Sequence, residues 1–167
     1  TVRYHQIGYN LQNGTDASTD YIKFDGRGND SGKHITINGT SNRGFVIANA
    51  NYIWLTGLIV SSPSFGYGIY FRSINNDSIS GAPNTDDDKG AKNCLVEYTT
   101  VTAIGPVGVD EGIKITGWGT DNNTVRYCDI HSFGNTNDYG INVSGGGYQA
   151  NPPTGNKIHN SSLYSIN

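Results

Sequence analysis

Glycine, apolar, variable, apolar: this order recurs at Gly44-Phe45-Val46-Ile47, Gly68-Ile69-Tyr70-Phe71, Gly112-Ile113-Lys114-Ile115 and Gly140-Ile141-Asn142-Val143. Successive side chains of a strand point to opposite faces, so the second and fourth positions share one face and the third looks the other way. A further run follows each of these: Ile53-Trp54-Leu55-Thr56-Gly57-Leu58, Val96-Glu97-Tyr98-Thr99-Thr100-Val101, Val125-Arg126-Tyr127-Cys128-Asp129-Ile130 and Ile158-His159-Asn160-Ser161-Ser162-Leu163. Aligned without a gap they give ladders of Ile53/Val96/Val125/Ile158, Leu55/Tyr98/Tyr127/Asn160 and Leu58/Val101/Ile130/Leu163, with a small corner at Thr56/Thr99/Cys128/Ser161. Two residues ahead of the first ladder stand Asn51, Cys94, Asn123 and Asn156. An asparagine at a corner can bond its own backbone and the equivalent residue one coil away.

Self-similarity at a spacing of roughly 20 to 50 residues marks stacked units, none of which buries its apolar face alone. The alternation within each unit has a period of two, so the unit is a coil of strands rather than a helical pair. Together the glycine-led runs and their partners resemble the right-handed parallel β-helix of the pectate-lyase-like superfamily, over roughly residues 34–167. The handedness is implied by that resemblance; the coil and its inward positions come from the spacing. The expectation is an all-β solenoid of about five to six coils forming one domain over 1–167. Residues 1–33 are read as an irregular opening or capping segment and 34–167 as regular coils.

Composition sharpens this picture. Apolar content of 35% would be thin for a compact globule, but a coil has a narrow core and wet outward positions, and 23 glycines supply its turns. A net charge of -3 without a basic stripe argues against a nucleic-acid partner. No apolar run is long enough to span a membrane as a helix. Without a methionine or a recognisable signal peptide, the chain reads as mature or trimmed, a piece of a longer protein being one option. Sequons at Asn13, Asn38, Asn76, Asn122, Asn142 and Asn160 fit a secreted or cell-surface protein, though a chain this rich in Asn, Ser and Thr makes such triplets by chance. Cys94 and Cys128 fall at different ladder positions and read as buried thiols.

The connections between the two runs vary in length, at 48–52, 74–95, 116–124 and 144–157, so all insertions leave one edge of the stack. Insertions on one edge commonly wall a binding surface. The neighbouring outward face carries Val46 and Ala48, Tyr70 and Arg72, Lys114 and Thr116, Asn142 and Ser144. The chemistry expected there is binding of an acidic polysaccharide and β-elimination beside a uronic acid. That reaction needs a base for the proton α to the carboxylate and a cation for the enolate-like charge. Lys114 and Arg72 are the candidates, placed about 5 Å apart in adjacent coils; the plain alternative is two solvated charges. Lyases of the resembled superfamily give a lysine or arginine on this face the base role, often with calcium.

Asp110 and Asp138 are the calcium candidates, preferred over Asp110 with Glu111, whose neighbouring side chains point apart, and over the loop run Asp86-Asp87-Asp88. Tyr70, Trp118, Tyr139 and Asn142 are the candidate substrate contacts, with Trp54 and Tyr67 as further outward rings able to stack on sugar. The glycine-histidine-glycine and paired-aspartate signatures of β-helix pectin hydrolases are absent, as is the aspartate-proline-histidine motif of alginate epimerases. The competing class is structural. Apolar ladders run to Leu163 and Ile166 without an obvious polar cap, which suits a non-catalytic extracellular fibre subunit that stacks end to end on copies of itself.

Overall fold

A computed structural model describes residues 22–27, 35–38, 43–48, 50–62, 66–73, 90–104, 111–117, 119–133, 139–145 and 153–166. Every regular element among them is a strand: β1 (Ile22–Asp25), β2 (Ile35–Asn38), β3 (Arg43–Ala48), β4 (Ile53–Thr56), β5 (Leu58–Ser62), β6 (Tyr67–Arg72) and β7 (Leu95–Glu97). The second half continues with β8 (Thr100–Ile104), β9 (Glu111–Thr116), β10 (Thr124–Arg126), β11 (Asp129–Phe133), β12 (Tyr139–Ser144), β13 (Lys157–His159) and β14 (Ser162–Ile166). They form three sheets ordered β1-β4-β7-β10-β13, β2-β5-β8-β11-β14 and β3-β6-β9-β12. Each successive strand in the chain joins the next sheet, and strands within a sheet pair in parallel. The described strands form a parallel β-solenoid with three sheets. Its described strands make four three-strand turns and two strands of the next.

Inward positions stack as ladders, because a parallel register repeats one side-chain direction from coil to coil. Phe24, Leu55, Val96, Val125 and Ile158 form the ladder of the first sheet. Ile37, Val60, Val101, Ile130 and Leu163 form that of the second. Phe45, Ile69, Ile113 and Ile141, with Ile47, Phe71, Ile115 and Val143, line the third. Leu55, Val60, Ile69, Phe71, Val96, Val101, Ile113, Ile115, Val125 and Ile130 are wholly buried. Each contributes about 1.5–3 kcal/mol of transfer free energy. On β12, β13 and β14, each of which has a strand neighbour on one side only among the described residues, Val143, Ile158 and Leu163 are 43%, 41% and 51% exposed.

The structure corrects the register expected for one coil. Leu55, not Ile53, lies over Val96, and Val60, not Leu58, lies over Val101. The slip is two residues, which leaves the paired strand residues on their expected faces. Corner geometry selects the true register. Gly57, Tyr98, Tyr127 and Asn160 share a left-handed backbone with φ of 64°, 49°, 52° and 52°, and turn the chain from the first sheet into the second. Tyr98 and Tyr127 therefore project outward rather than joining an apolar ladder, and their rings stack at 5.1 Å and 5°. Next to that corner the Leu58 amide donates to Thr99 Oγ1 and the Cys128 amide to Ser161 Oγ, so Leu58 takes the place expected for Thr56.

The opposite corner carries the left-handed series Tyr52, Asn93, Asn122 and Gly155. Beside it the asparagine ladder behaves as expected from Cys94 onward. Asn123 Oδ1 accepts from the Cys94 amide at 2.9 Å and Asn156 Oδ1 from the Asn123 amide at 3.0 Å. Asn51 stands two residues out of that ladder, beside Lys92, and accepts from the Lys92 amide. Regular pairing also starts earlier than the sequence suggested, at Ile22, inside the stretch read as an irregular opening.

The glycine leading each strand of the third sheet has a packing cause. A Cβ on Gly112 would strike the Ile130 side chain and stand 2.6 Å from the Gly140 carbonyl oxygen. Gly112→Ala is expected to lower stability by about 1–3 kcal/mol, read as an earlier urea midpoint. Thr102→Ala, at an outward position of the second sheet, should change it by less than about 0.5 kcal/mol.

Candidate functional site

The outward face of the third sheet holds three registers. Val46, Tyr70, Lys114 and Asn142 stand abreast, as do Ala48, Arg72, Thr116 and Ser144, and Arg43, Tyr67, Glu111 and Tyr139. Lys114 is thus abreast of Tyr70, and Arg72 of Thr116. The two cations expected to be direct neighbours lie on the diagonal, about 8 Å apart at the backbone.

Side-chain contacts run across all four strands. Lys114 Nζ donates to Glu111 Oε1 at 3.1 Å, and Asn142 Nδ2 donates to the same oxygen at 3.1 Å. The Lys114 ammonium also lies 4.7 Å from the centroid of Tyr67, whose ring is 4.6 Å from that of Tyr70. Arg43 and Arg72 approach Tyr70 in turn, at 5.3 and 5.5 Å. Glu111 is 3% exposed, and its Oε2 is buried without a hydrogen-bond partner. Among the described residues, Arg43, Arg72 and Lys114 share this sheet with one carboxylate, Glu111, on a chain whose net charge is -3.

Burial works against the charge on Lys114, but the hydrogen bond and charge of Glu111, with Tyr67 adding to them, outweigh it and raise the ammonium above its ordinary 10.5. Lys114 is therefore a held cation, suited to neutralising an anion rather than to removing a proton at neutral pH.

Of the other expected contacts, Tyr139 is on the same face and half-exposed, in register with Glu111. Trp118, Asp110 and Asp138 lie outside the described residues. Among the described residues no three His, Cys, Asp or Glu side chains come together as a metal site, and Glu111 is committed to an ammonium and an amide. Trp54 belongs to another face. Its Nε1 donates to Glu97 Oε1 at 3.0 Å and Lys23 Nζ lies 4.3 Å over its ring, while Arg126 pairs with Glu97 at 2.7 Å. Cys94 and Cys128 are free, and burial pushes their thiols up to about 12 and about 11, which leaves them unreactive near neutrality.

The sequence reading passed over Arg43, and it set Glu111 aside as a poor metal ligand without seeing it as a partner for Lys114. Both occupy the position just before a strand glycine, where strict alternation assigns the side chain inward. Tyr67 and Tyr139 at the same position were the available signal. The class defined by these observations is a parallel β-solenoid with a cation-and-tyrosine face on one sheet. No family model matches the chain, and neither the curated proteins nor the solved structures provide a match.

The Lys114–Glu111 pair sets a pH dependence of known sign. An ammonium whose folded pKa exceeds 10.5 contributes stability that is complete below 10.5 and disappears as pH rises through the higher folded value. The stability advantage of wild type over Lys114→Met, measured by urea denaturation, should therefore be flat from neutrality to about pH 10 and shrink above it. An advantage that grows in alkali would contradict the pairing.

Proposed function

We propose that the outward face of the third sheet binds an acidic polysaccharide and cleaves it by β-elimination beside a uronate. The observation carrying this reading is the register of Lys114, Tyr70 and Asn142 with Arg72 on the diagonal from Lys114, the Lys114 ammonium being held protonated. In elimination the C5–H bond breaks, its proton passes to a base, the C5 electrons form the C4–C5 double bond, and the C4–O bond breaks toward the leaving sugar. Charge gathers on the uronate carboxylate as the proton leaves, and a fixed cation there lowers the barrier. Lys114 takes that part. The resemblance to superfamily lyases that use a lysine or arginine assigns proton removal to Arg72, whose guanidinium first gives up a proton to solvent and then accepts the one from C5. Tyr70, Tyr139 and Asn142 supply ring and amide contacts to the sugar.

The proposal takes the chain as one right-handed coil of the pectate-lyase-like kind, secreted or displayed at a cell surface. Three parallel sheets and the all-strand architecture support that assignment. A second reading is an end-to-end stacking fibre subunit, in which the parallel ladders of the three sheets would continue from one copy into the next. Solution mass that rises with protein concentration, without turnover of any polymer, would favour it.

Incubation with pectate, alginate or chondroitin should raise the ultraviolet absorbance of the unsaturated product for at least one polymer. Lys114→Ala and Arg72→Ala should each reduce the rate by about 10²-fold or more, with unchanged circular dichroism. No absorbance change with any of these polymers, or full activity in Lys114→Ala, would overturn the catalytic assignment.

A further inference from the structure

Where the first sheet turns into the second, the backbone is left-handed at Gly57, Tyr98, Tyr127 and Asn160. Glycine and asparagine suit that conformation, and a bulky ring does not. The turn needs no aromatic residue, yet two neighbouring coils place tyrosine there, 52% and 45% exposed. One stacked pair of rings stabilises a fold by less than two such residues cost it, and strain of this kind collects where side chains meet ligands.

Ring geometry shows which surface is offered. Parallel rings with centroids 5.1 Å apart are too close to lie side by side in one plane, so Tyr98 and Tyr127 overlap in an offset stack. Beyond Tyr127 the ring of His159 stands edge-on at 6.3 Å. The other face of Tyr98 looks toward the preceding coil, where its equivalent, Gly57, has no side chain to cover it. The edge of that step is polar. The Arg27 stem runs over Gly57, in the space a Cβ there would take. Its guanidinium donates from Nε to Asp25 Oδ1 at 3.0 Å and from Nη2 to Asp25 Oδ2 at 2.9 Å. Asp25 first, then Glu97 and Tyr98, favour the Arg27 cation, which is therefore near the ring.

Charges on this side are matched: Lys23 and Arg27 pair with Asp25, and Arg126 with Glu97. Paired donors and acceptors beside an aromatic face suit an uncharged, hydroxyl-rich ligand rather than an ion. We propose that this corner binds a neutral sugar unit, its C–H face laid on the Tyr98 ring, its hydroxyls bonded to Arg27 and Asp25, with Tyr127 holding the ring in place. The ligand class is an uncharged glycan. The site lies apart from the outward face of the third sheet and does not rest on the elimination reading.

Affinity electrophoresis in native gels containing neutral galactan, xylan or mixed-linkage glucan tests it. At least one polymer should retard the wild type, in low and high salt alike, because no net charge is being matched. Tyr98→Asn keeps a residue suited to the left-handed corner. It should weaken binding about tenfold or more, with a urea midpoint no lower than that of wild type. Arg27→Ala, at an exposed residue, should weaken binding several-fold and tests the site independently of the ring, while Thr102→Ala should leave it unchanged. Absence of retardation by all three polymers would overturn the proposal, as would retardation left intact in either Tyr98→Asn or Arg27→Ala. A clearly lower urea midpoint for Tyr98→Asn would make the ring a structural element and overturn it too.

Discussion

A coil of strands closes only if each turn changes direction where the turn before it did. Here that condition is met by a left-handed residue at two corners of each coil from β4 onward. Gly57, Tyr98, Tyr127 and Asn160 serve one corner and Tyr52, Asn93, Asn122 and Gly155 the other. For residues other than glycine and asparagine such a backbone is costly, on the order of 1–3 kcal/mol. It persists where surrounding contacts over-determine it. Tyr98 and Tyr127 have such contacts in their parallel stacked rings and in the wholly buried Val96, Val101, Val125 and Ile130 that flank them. At Gly57 the space a side chain would need is taken by Arg27, itself tied to Asp25 at 2.9 Å. The corners thereby set the register, and the register decides which outward residues meet.

On the third sheet that alignment creates a continuous set of contacts from Arg43 in the first described coil to Asn142 in the fourth. A shift of one coil by two residues would keep its core intact and yet separate Lys114 from Tyr70, or Arg43 from the ring it approaches. Stability and site geometry therefore have different tolerances. The apolar ladders accept any register of correct parity; the polar face accepts one. Glu111 adds a second constraint, because its Oε1 receives donors from its own strand and from the next coil. Removing it would leave Lys114 subject to desolvation without compensation.

Much of the fold was legible because its signal is periodic. The four glycine-led strands align in the structure as in the sequence, and so do Val96, Val125 and Ile158. Their third positions point outward as alternation requires. The missed register of Leu55 and Val60 shows where periodicity stops informing: a two-residue slip preserves the pattern of faces, and only the backbone conformation at Gly57 distinguishes the alternatives. The site was legible in part for the same reason. Lys114, Arg72, Tyr70 and Asn142 sit at alternating positions, whereas Arg43 and Glu111 sit just before the strand glycine, at positions that alternation assigns inward. The pairing of Lys114 with Glu111, and of Trp54 with Lys23 and Glu97, depends on side-chain paths across coils that no linear spacing encodes.

The register is the claim on which all of this depends, and paired cysteines measure it directly. Outward residues that stand abreast in neighbouring parallel strands have Cα atoms about 5 Å apart, within reach of a disulfide. Ile59 stands abreast of Thr100. Protein carrying Ile59→Cys with Thr100→Cys should lose both introduced thiols under mild oxidation, while Ile59→Cys with Thr102→Cys should keep them. Rapid bridging of the second pair with the first left reduced would contradict the register, and with it the placement of Arg43, Tyr70 and Lys114 on a common face.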